Sequence, residues 1–344
     1  MLTKKQVKEI QEHLLKAQNP LFYFDNDQDG LCSYLLLKRF YGKGNPVPVK
    51  NSPMGKEYFR RVLEFEPDYI FILDVPEVKE EFFNEIEKYN LPVVWIDHHK
   101  IDKKKIPKWV DSYNVVLNKK SSNEPVTRLC YQVTEDKKDL WLAVVGCISD
   151  KFLPDFYLDF LKMYPDLGIE TKEAFGVFYS SEIGKIARMI GAGLKDRTTN
   201  VIKMIRFLSK VRTPYEVLEE SKDNSLLHER FKEIDGKYQR LISKAKEDVS
   251  SKVLFFKYAG ETSMSADLAN GLSYEFPEKI VVVAYVKGSR VNLSLRGESI
   301  LEKVVEILKG LENATGGGHE NAVGCQINIG DLEIFKKKLE EVFD

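Results

Sequence analysis

Three carboxylates stand on alternate residues near the amino terminus, at Asp25, Asp27 and Asp29, and Gly30 follows them. In an extended chain alternate side chains share one face, so three like charges repel unless cations lie among them. Carboxylate oxygens are hard ligands that suit Mg²⁺ or Mn²⁺. An EF-hand calcium loop is excluded because its twelfth position holds Leu36 instead of glutamate. A solvated turn remains an alternative for this motif taken alone.

Short apolar runs elsewhere in the chain lead to further potential ligands. The runs and the residues that follow are Pro20–Phe24 with Asp25, Tyr69–Leu73 with Asp74, Pro92–Ile96 with Asp97, His98 and His99, and Trp141–Ile148 with Ser149 and Asp150. A single acid after a strand is usually a helix N-cap, and a lone histidine pair is often a surface feature. Four such positions, each after a predicted strand, make that explanation improbable for the whole set.

The apolar runs themselves predict a parallel sheet. They alternate with helical patterns such as Leu31–Tyr41, and short continuous apolar runs of this kind are typical of strands buried on both faces. In open α/β sheets, ligands bind at the carboxyl ends of the strands. We therefore expect the acids and histidines to meet at one edge of an α/β domain.

Aspartates and histidines in this arrangement suit a pair of divalent ions. Two ions about 3.5–4 Å apart need a bridging carboxylate and several terminal ligands. Adjacent histidines in an extended chain point in different directions, so one can bind metal while the other faces a substrate phosphate. Asp97 can orient one of the rings. Because imidazole is among the ligands, Mn²⁺ is the expected ion, and Mg²⁺ is the alternative.

The remainder of the chain predicts two further sections. From about Lys151 to Val249 the pattern is helical and charged, as in Ile183–Leu208 and Ser225–Val249, and predicts a connector. From Ser250 onwards a smaller α/β section is expected. Its predicted strands are Val253–Phe256, Ile280–Val286 and Val291–Leu295, and its predicted helices are Glu298–Leu311 and Asp331–Val342.

Composition limits the classes of function. The 344 residues carry a net charge of -1, so any nucleic-acid binding must come from a local basic patch or from metals within the acidic cluster. No apolar run approaches the ~20 residues of a membrane span, and the amino terminus does not resemble a signal peptide. The four separated cysteines predict reduced, buried thiols, so we expect a cytoplasmic protein.

The acidic motifs and the Asp97-His98-His99 triplet resemble those of the DHH phosphoesterase superfamily. The carboxyl-terminal section resembles the companion DHHA1 domain through Ser294-Leu295-Arg296, Gly316–His319 and Ala322-Val323-Gly324. Within the superfamily the chain is most similar to RecJ-like nucleases of the compact archaeal type. The resemblance implies a DHH catalytic domain over residues 1–190, a helical connector over 191–249 and a DHHA1 substrate-binding domain over 250–344.

The resemblance also implies roles for individual residues. Asp27 and Asp74 would hold one ion, and Asp74 would bridge to a second ion that Asp29, His98 and Asp150 complete. His99 would contact the scissile phosphate. Many family members carry a histidine where this chain has Tyr23, which implies either a weaker first metal site or one whose ligands Asp25 completes. The expected substrate-binding residues are Ser294, Arg296, Gly316, Gly317, Gly318 and His319, with a flexible turn as the alternative for the glycines.

The implied activity is an exonuclease that releases nucleoside monophosphates from single-stranded DNA or RNA with two Mn²⁺ ions. A phosphodiesterase acting on nano-RNA, short oligonucleotides or cyclic dinucleotides is the first alternative. A non-catalytic scaffold in replication or repair is the second, and the intact acids argue against it. An inorganic pyrophosphatase ranks low because such enzymes lack the glycine-rich lobe. A helicase or another replication or repair protein is the expected partner, and no membrane is expected.

Overall fold

The computed structural model describes residues 1–117, 124–247, 249 and 251–343. The chain divides into two compact units, Met1–Phe231 and Lys232–Asp344. None of the helices in the described part of the chain combines the length and the apolar character that crossing a bilayer requires. The four cysteines are all buried free thiols, which confirms the prediction made for them.

The first unit alternates strands and helices and then continues as helices. Its elements are α1 (Lys4–Lys16), β1 (Pro20–Asp25), α2 (Gln28–Tyr41), β2 (Asn45–Val49), α3 (Arg60–Phe65), β3 (Tyr69–Leu73), α4 (Glu80–Glu87), β4 (Val93–Asp97), β5 (Asp111–Asn114), α5 (Val126–Thr134), α6 (Leu140–Ser149), α7 (Tyr157–Met163), α8 (Ala174–Ser180), α9 (Glu182–Leu194), α10 (Thr198–Leu208), α11 (Tyr215–Leu218) and the start of α12 (Ser225–Ala245).

The first sheet is parallel throughout, in the order β2-β1-β3-β4-β5. Successive side chains of a strand point to opposite faces, and both faces are covered. Phe22 and Phe24 of β1 pack into a core formed with α2, α5, α6 and α9, whereas Leu21 and Tyr23 pack on the side of α3 and α4. Burial on both faces explains why the central strands are continuous apolar runs.

The order of the strands creates the crevice in which the candidate site lies. Strand β1 lies between β2 and β3, so the chain moves to one side of β1 and then crosses to the other. At such a switch point the connections at the carboxyl ends of the strands diverge and leave a crevice. Strands β1, β3 and β4 are adjacent and all end there.

The prediction of a strand at Trp141–Ile148 is wrong. These residues form helix α6, which is buried on all sides, and Asp150 is its C-cap residue. An all-apolar run of eight residues fits a buried strand and a buried helix equally well, so periodicity could not separate them. The two edge strands were missed because their sequences are not apolar runs: β2 contains two prolines and β5 reads Asp-Ser-Tyr-Asn.

Part of the predicted helical connector packs into the first unit. Val201, Met204 and Leu208 of α10 belong to the same core as α2 and α6. The contact-based division falls at Phe231, inside α12. The domain limits at residues 190 and 249 stay a prediction.

The second unit is a smaller α/β structure. Its further elements are β6 (Val253–Ala259), α13 (Ser265–Glu275), β7 (Ile280–Lys287), β8 (Arg290–Arg296), α14 (Leu301–Lys309), β9 (Thr315–His319), β10 (Ala322–Asn328) and α15 (Leu332–Phe343). The sheet order is β6-β7-β8-β10-β9, with β6 and β7 parallel and the other pairs antiparallel. The predicted fold class, a parallel-sheet α/β domain followed by a smaller α/β domain, is confirmed.

The glycine-rich Gly316–His319 segment belongs to an exposed edge strand, β9, and is not the flexible turn given as the alternative. Glycine is required here for close packing. A Cβ at Gly316 would lie 2.5 Å from the Cβ of Cys325, and Gly318 has φ +150°, which favours glycine. Because glycine has a low strand propensity, the sequence did not predict this strand.

Candidate metal centre

The ends of three neighbouring strands bring the acidic residues together. Asp25 is the last residue of β1, Asp74 follows β3 and Asp97 is the last residue of β4. Since β1, β3 and β4 are parallel and adjacent, their carboxyl ends meet at one edge. The sequence expectation for this edge therefore agrees with where the strands end.

The first turn of α2 adds two further carboxylates. Asp27 is the N-cap residue, and its Oδ1 accepts a hydrogen bond of 2.9 Å from the Gly30 amide. Asp29 lies in that turn and is buried. Gly30 is required because a Cβ there would lie 2.4 Å from the backbone oxygen of Asp25. Without that close approach, α2 could not begin so near the end of β1.

Asp29 is held by the start of α5. The backbone amides of Val126 and Thr127 donate to its Oδ2 and Oδ1, at 2.9 and 2.6 Å, and Thr127 Oγ1 donates to the Asp29 carbonyl oxygen at 2.9 Å. Amides at a helix N-terminus stabilise a carboxylate through hydrogen bonds and the helix dipole. The orientation of Asp29 is therefore fixed by its own chain.

Asp74 occupies a strained, enclosed position. It is a buried non-glycine residue with φ +59°, a left-handed conformation that costs about 1–2 kcal/mol. Its amide donates to the Ile96 carbonyl oxygen at 3.0 Å. Its Oδ1 is buried and has no hydrogen-bond partner among the described residues. A buried carboxylate oxygen without a hydrogen-bond partner is suited to bind a cation.

The two histidines face different groups. His98 Nε2 lies 3.4 Å from Asp74 Oδ1, 3.7 Å from Asp150 Oδ2 and 4.0 Å from Asp29 Oδ2. His99 Nδ1 lies 3.0 Å from Asp97 Oδ1 and 3.8 Å from Asp74 Oδ1. One imidazole nitrogen thus converges with three carboxylates, while the other ring is oriented by Asp97.

Three groups of potential metal ligands occur among the described residues, and within each group one ligand atom of every member lies within 4.8 Å of the others. They are Asp25, Asp27 and Asp74; Asp29, His98 and Asp150; and Asp74, His98 and His99. All six residues predicted as metal ligands occur in these groups. Asp74 belongs to two of them and His98 to two, so the groups are contiguous and can accommodate two neighbouring ions. The donor set of carboxylates and imidazole fits Mn²⁺.

The electrostatics of the cluster favour a cation. Burial raises the pKa of Asp74 well above its usual range, and the carboxylates of Asp29 and Asp27 add to the effect. Burial also raises the pKa of Asp25. Burial and neighbouring carboxylates raise the pKa of Asp27 to about 8 and that of Asp150 to about 7. Both of these side chains reach solvent, so screening reduces the effect. Divalent ions would remove the repulsion.

Two opposing effects determine the pKa of His99, namely burial and the neighbouring carboxylates. Burial lowers the pKa of its imidazole, but the hydrogen bond and charge of Asp97, together with Asp150 and Asp29, outweigh burial and raise it. A protonated His99 is thereby favoured. A charged imidazole next to the cluster can donate a hydrogen bond to an anionic oxygen.

Asn114 is a site residue that the sequence did not indicate. Its Nδ2 donates to Asp97 Oδ2 at 3.0 Å and to the His99 carbonyl oxygen at 2.9 Å, while the His99 amide donates to Asp97 Oδ2 at 2.8 Å. Asn114 thus fixes the carboxylate that orients the His99 ring. It ends a polar edge strand, so no apolar run marked its position.

The side chains of Tyr23 and Arg128 are both buried and bonded to other residues of the first unit. The Tyr23 hydroxyl donates to the Tyr58 carbonyl oxygen at 3.0 Å, and the ring is fully buried. The Arg128 side chain is buried and pairs with Asp155 at 3.1 Å. Its apolar neighbours on α5 draw it inwards, and the ion pair satisfies its charge. Neither side chain is placed among the clustered ligands.

The residues predicted to bind substrate lie together within the second unit. In the sheet register Ala322 pairs with Arg296 on one side and with His319 on the other, and Gly324 pairs with Ser294 and Gly317. Paired residues share a face, so Arg296 and His319 are about 10 Å apart across two strand spacings. Ser294 is buried and donates to Ser265 Oγ at 3.0 Å, and Arg296 Nε donates to Asn270 Oδ1 at 2.6 Å.

The family comparison matches both ends of the chain. Residues 21–148 match the model of the DHH family, N-terminal domain, and residues 248–344 match that of the DHHA1 domain. No protein in the curated set matches the sequence.

Solved structures share the fold at low sequence identity. RecJ from Thermus thermophilus in complex with Mn²⁺ has a TM-score of 0.68 at 16% identity, over 98% of this chain and 54% of that one, so this chain spans about half of its length. Exonuclease RecJ bound to manganese has a TM-score of 0.63 at 17% identity, over 98% and 93%. The pGpG-specific phosphodiesterase PggH of Vibrio cholerae has 0.52 at 13%, over 95% and 99%.

Proposed function

The chain combines a DHH-family N-terminal domain with a DHHA1 domain, and we propose that it is a two-metal exonuclease acting on single-stranded DNA or RNA. The proposal is that it hydrolyses the terminal phosphodiester bond and releases nucleoside monophosphates. The fold neighbours whose names include RecJ, two of them bound to manganese, support this interpretation of the metal cluster.

The observation that carries the proposal is the contiguous cluster around Asp74. In our assignment Asp25, Asp27 and Asp74 would hold one ion, Asp29, His98 and Asp150 would hold a second, and Asp74 would be shared between the two. Bound divalent ions lower the pKa of water and neutralise charge on a phosphate. Mn²⁺ is the preferred ion because imidazole takes part, and Mg²⁺ is the alternative.

The residues around the ions have distinct tasks in this proposal. Asp97 and Asn114 hold the His99 ring, and His99 in its protonated form donates a hydrogen bond to a non-bridging phosphate oxygen. The backbone amides at the start of α5 fix the orientation of Asp29, as a metal ligand requires. The chain therefore supplies a prearranged set of ligands and one hydrogen-bond donor for the phosphate.

Substrate binding is assigned to the second unit. We assign the phosphate backbone of the strand to Ser294, Arg296 and the β9 segment Gly316–His319. The exposed amides of a glycine-rich strand approach phosphate oxygens closely, and Arg296 can donate in a forked geometry. The predicted protein partner in replication or repair and the predicted cytoplasmic location stay predictions.

A second candidate is a phosphodiesterase specific for dinucleotides or short RNA. The fold likeness to a pGpG-specific phosphodiesterase over nearly the whole of both chains favours keeping it. The two candidates differ in the substrate length at which hydrolysis is fastest. The scaffold alternative is disfavoured because every expected metal ligand is present in the cluster.

A length series tests the proposed function. The protein is incubated with Mn²⁺ and 3′-labelled or 5′-labelled DNA and RNA of 2, 5, 10 and 20 nucleotides, and the products are resolved by size. We expect mononucleotides from the longer strands, with Asp74→Asn and a chelator as inactive controls. Hydrolysis of dinucleotides alone supports the second candidate. Absence of hydrolysis for every substrate contradicts both enzymes.

A further inference from the structure

Positive charge is concentrated beside α10 in the first unit. Lys203 and Arg206 lie one turn apart on this helix, Lys210 follows its end, and all three side chains are exposed. None of the three has an ion pair within the described part of the chain, unlike Lys162 and Lys185 of the same unit, which pair with Asp159 and Glu182. The whole chain has a net charge of -1, so cations without a carboxylate partner make this part of the surface basic in an otherwise nearly neutral protein.

Arg206 and Lys210 border a groove between α10 and the edge strand β2. The groove has a volume of about 720 Å³, and its basic lining residues are Lys38, Lys50, Arg61, Arg206 and Lys210. We call it the α10 groove. Glu64 is the acidic residue in this lining, and it pairs with Arg61. Four cations therefore face the groove without a carboxylate partner among the described residues.

A second cavity, of about 480 Å³, shares Arg206 and Lys210 with the α10 groove. It also contains Lys203 and Lys222, and three acids balance part of its charge: Asp196, Glu216 and Asp223. The strongest uncompensated charge is thus on the β2 side of α10.

The α10 groove begins next to the metal centre. Lys50 directly follows Val49, which pairs with Asp25 in the sheet, and Lys50 Nζ donates to Thr198 Oγ1 at the start of α10 at 3.5 Å. From there α10 extends for about 16 Å at ~1.5 Å per residue. At the ~3.4 Å spacing of phosphates along a stacked strand, this length matches about five phosphates.

We propose that the α10 groove binds the phosphate backbone of single-stranded nucleic acid beyond the nucleotide at the metal centre. This inference rests on the proposed function. It implies that the substrates include strands long enough to extend from the metal centre along α10. The cations come from several elements and extend along the groove, from Lys50 at the start of α10 to Lys210 past its end, which suits a polymer better than a small anion. The partly exposed rings of Tyr58 and Phe65 line the same groove and suit base stacking.

The test uses the full chain with its metals chelated, so that binding is measured without cleavage. Fluorescence anisotropy follows labelled single-stranded DNA and RNA of 2, 5, 10 and 20 nucleotides across a range of salt concentrations. The variant is Arg206→Glu with Lys210→Glu. The matched control is Lys4→Glu with Lys5→Glu, which makes the same change of charge on exposed residues of α1 that do not line the groove.

We expect the groove variant to bind the 20-nucleotide strand at least about tenfold more weakly than the wild type at ~0.1 M salt. Two lost phosphate contacts should reduce the slope of log affinity against log salt by about 1.4. The loss should be small for the dinucleotide, which is too short to extend from the metal centre to Arg206 and Lys210 near the far end of α10. The control variant should follow the wild type at every length.

Equal binding by the groove variant and the control overturns the inference, as does absence of single-strand binding by the wild type. Displacement of the strand by poly-glutamate at equal charge concentration also overturns it, since the groove would then serve acidic proteins. A protein that binds strands through the groove but hydrolyses none would refute the proposed function and leave this binding result standing.

Discussion

The metal cluster of the first unit and the β8–β10–β9 surface of the second unit are built in opposite ways. In the cluster three of the six assigned ligands, Asp29, Asp74 and His98, are buried. Two backbone amides hold Asp29, and Asn114 holds Asp97, the residue that orients His99. On the second surface, β9 is exposed along its whole length and carries three consecutive glycines. A chemical centre needs ligands fixed to a fraction of an ångström, whereas a backbone-binding surface needs access and tolerance of sequence. The predictions below test whether the two regions divide catalysis and binding in this way.

The largest expected effect is the loss of activity in Asp74→Asn. Its carboxylate is the shared ligand of the assigned ions, and the amide is a much weaker one. We expect kcat to fall by roughly a thousandfold, about 4 kcal/mol on the barrier, in a Mn²⁺-dependent assay. Circular dichroism should show an unchanged fold. Near-normal turnover would show that Asp74 is not the bridging residue.

The second region should respond in binding instead of in turnover. A charge-assisted hydrogen bond contributes about 1.5–3 kcal/mol, so Arg296→Ala or His319→Ala should weaken oligonucleotide binding about ten- to a hundredfold. Mn²⁺ affinity should stay unchanged. Arg290→Ala, at the opposite end of the same strand, is the matched control. A loss of Mn²⁺ binding in either variant, without a loss of oligonucleotide binding, would reverse the assigned roles.

The first region also depends on a residue that touches neither ion in our assignment. In Asn114→Ala, Asp97 loses a hydrogen bond and the loop that carries His99 loses its tie to β5. Removing such a positioning contact typically costs about 10–100-fold. We expect the loss in kcat, with KM little changed and the pH profile shifted through the His99 pKa. A change in KM alone would indicate a purely structural role for Asn114.

The smallest expected effect is on stability in the absence of metal. Because folding raises the pKa of Asp27 to about 8, its contribution to stability is present below the unfolded value near 3.9 and is lost as pH rises through about 8. Asp27→Asn retains an N-cap residue and removes the charge. The Tm difference between variant and wild type, measured with a chelator, should increase from pH 5 to pH 8.

Adding Mn²⁺ provides the control for that prediction. Bound ions stabilise the wild type, so the sign of the Tm difference should reverse at pH 8. A Tm difference that does not vary with pH would show that Asp27 titrates normally in the folded chain.

Sequence alone predicted the cluster because its geometry follows from simple rules. Carboxyl ends of adjacent parallel strands meet, so Asp25, Asp74 and Asp97 could be placed together from the apolar runs before them. Asp150 was predicted correctly as a neighbour but for the wrong reason, since a buried helix leads to it. Asn114 was missed because it ends a polar edge strand, and its importance depends on the tertiary contact with Asp97.

The second unit was less predictable for a related reason. Strand β9 has no side chains that signal a strand, and its pairing with β10 is set by close packing of Gly316 against Cys325. The uncompensated charge beside α10 depends on which lysines and arginines lack a carboxylate neighbour, and spacing along the chain does not reveal that.

The central claim, two ions that share Asp74, is tested most directly by electron paramagnetic resonance of the full chain titrated with Mn²⁺. We expect two ions per chain and a spectrum in which they are magnetically coupled, as is typical of ions ~3.5–4 Å apart. Asp74→Asn should abolish the coupling. A wild-type spectrum of one isolated ion, or of two uncoupled ions, would contradict the account.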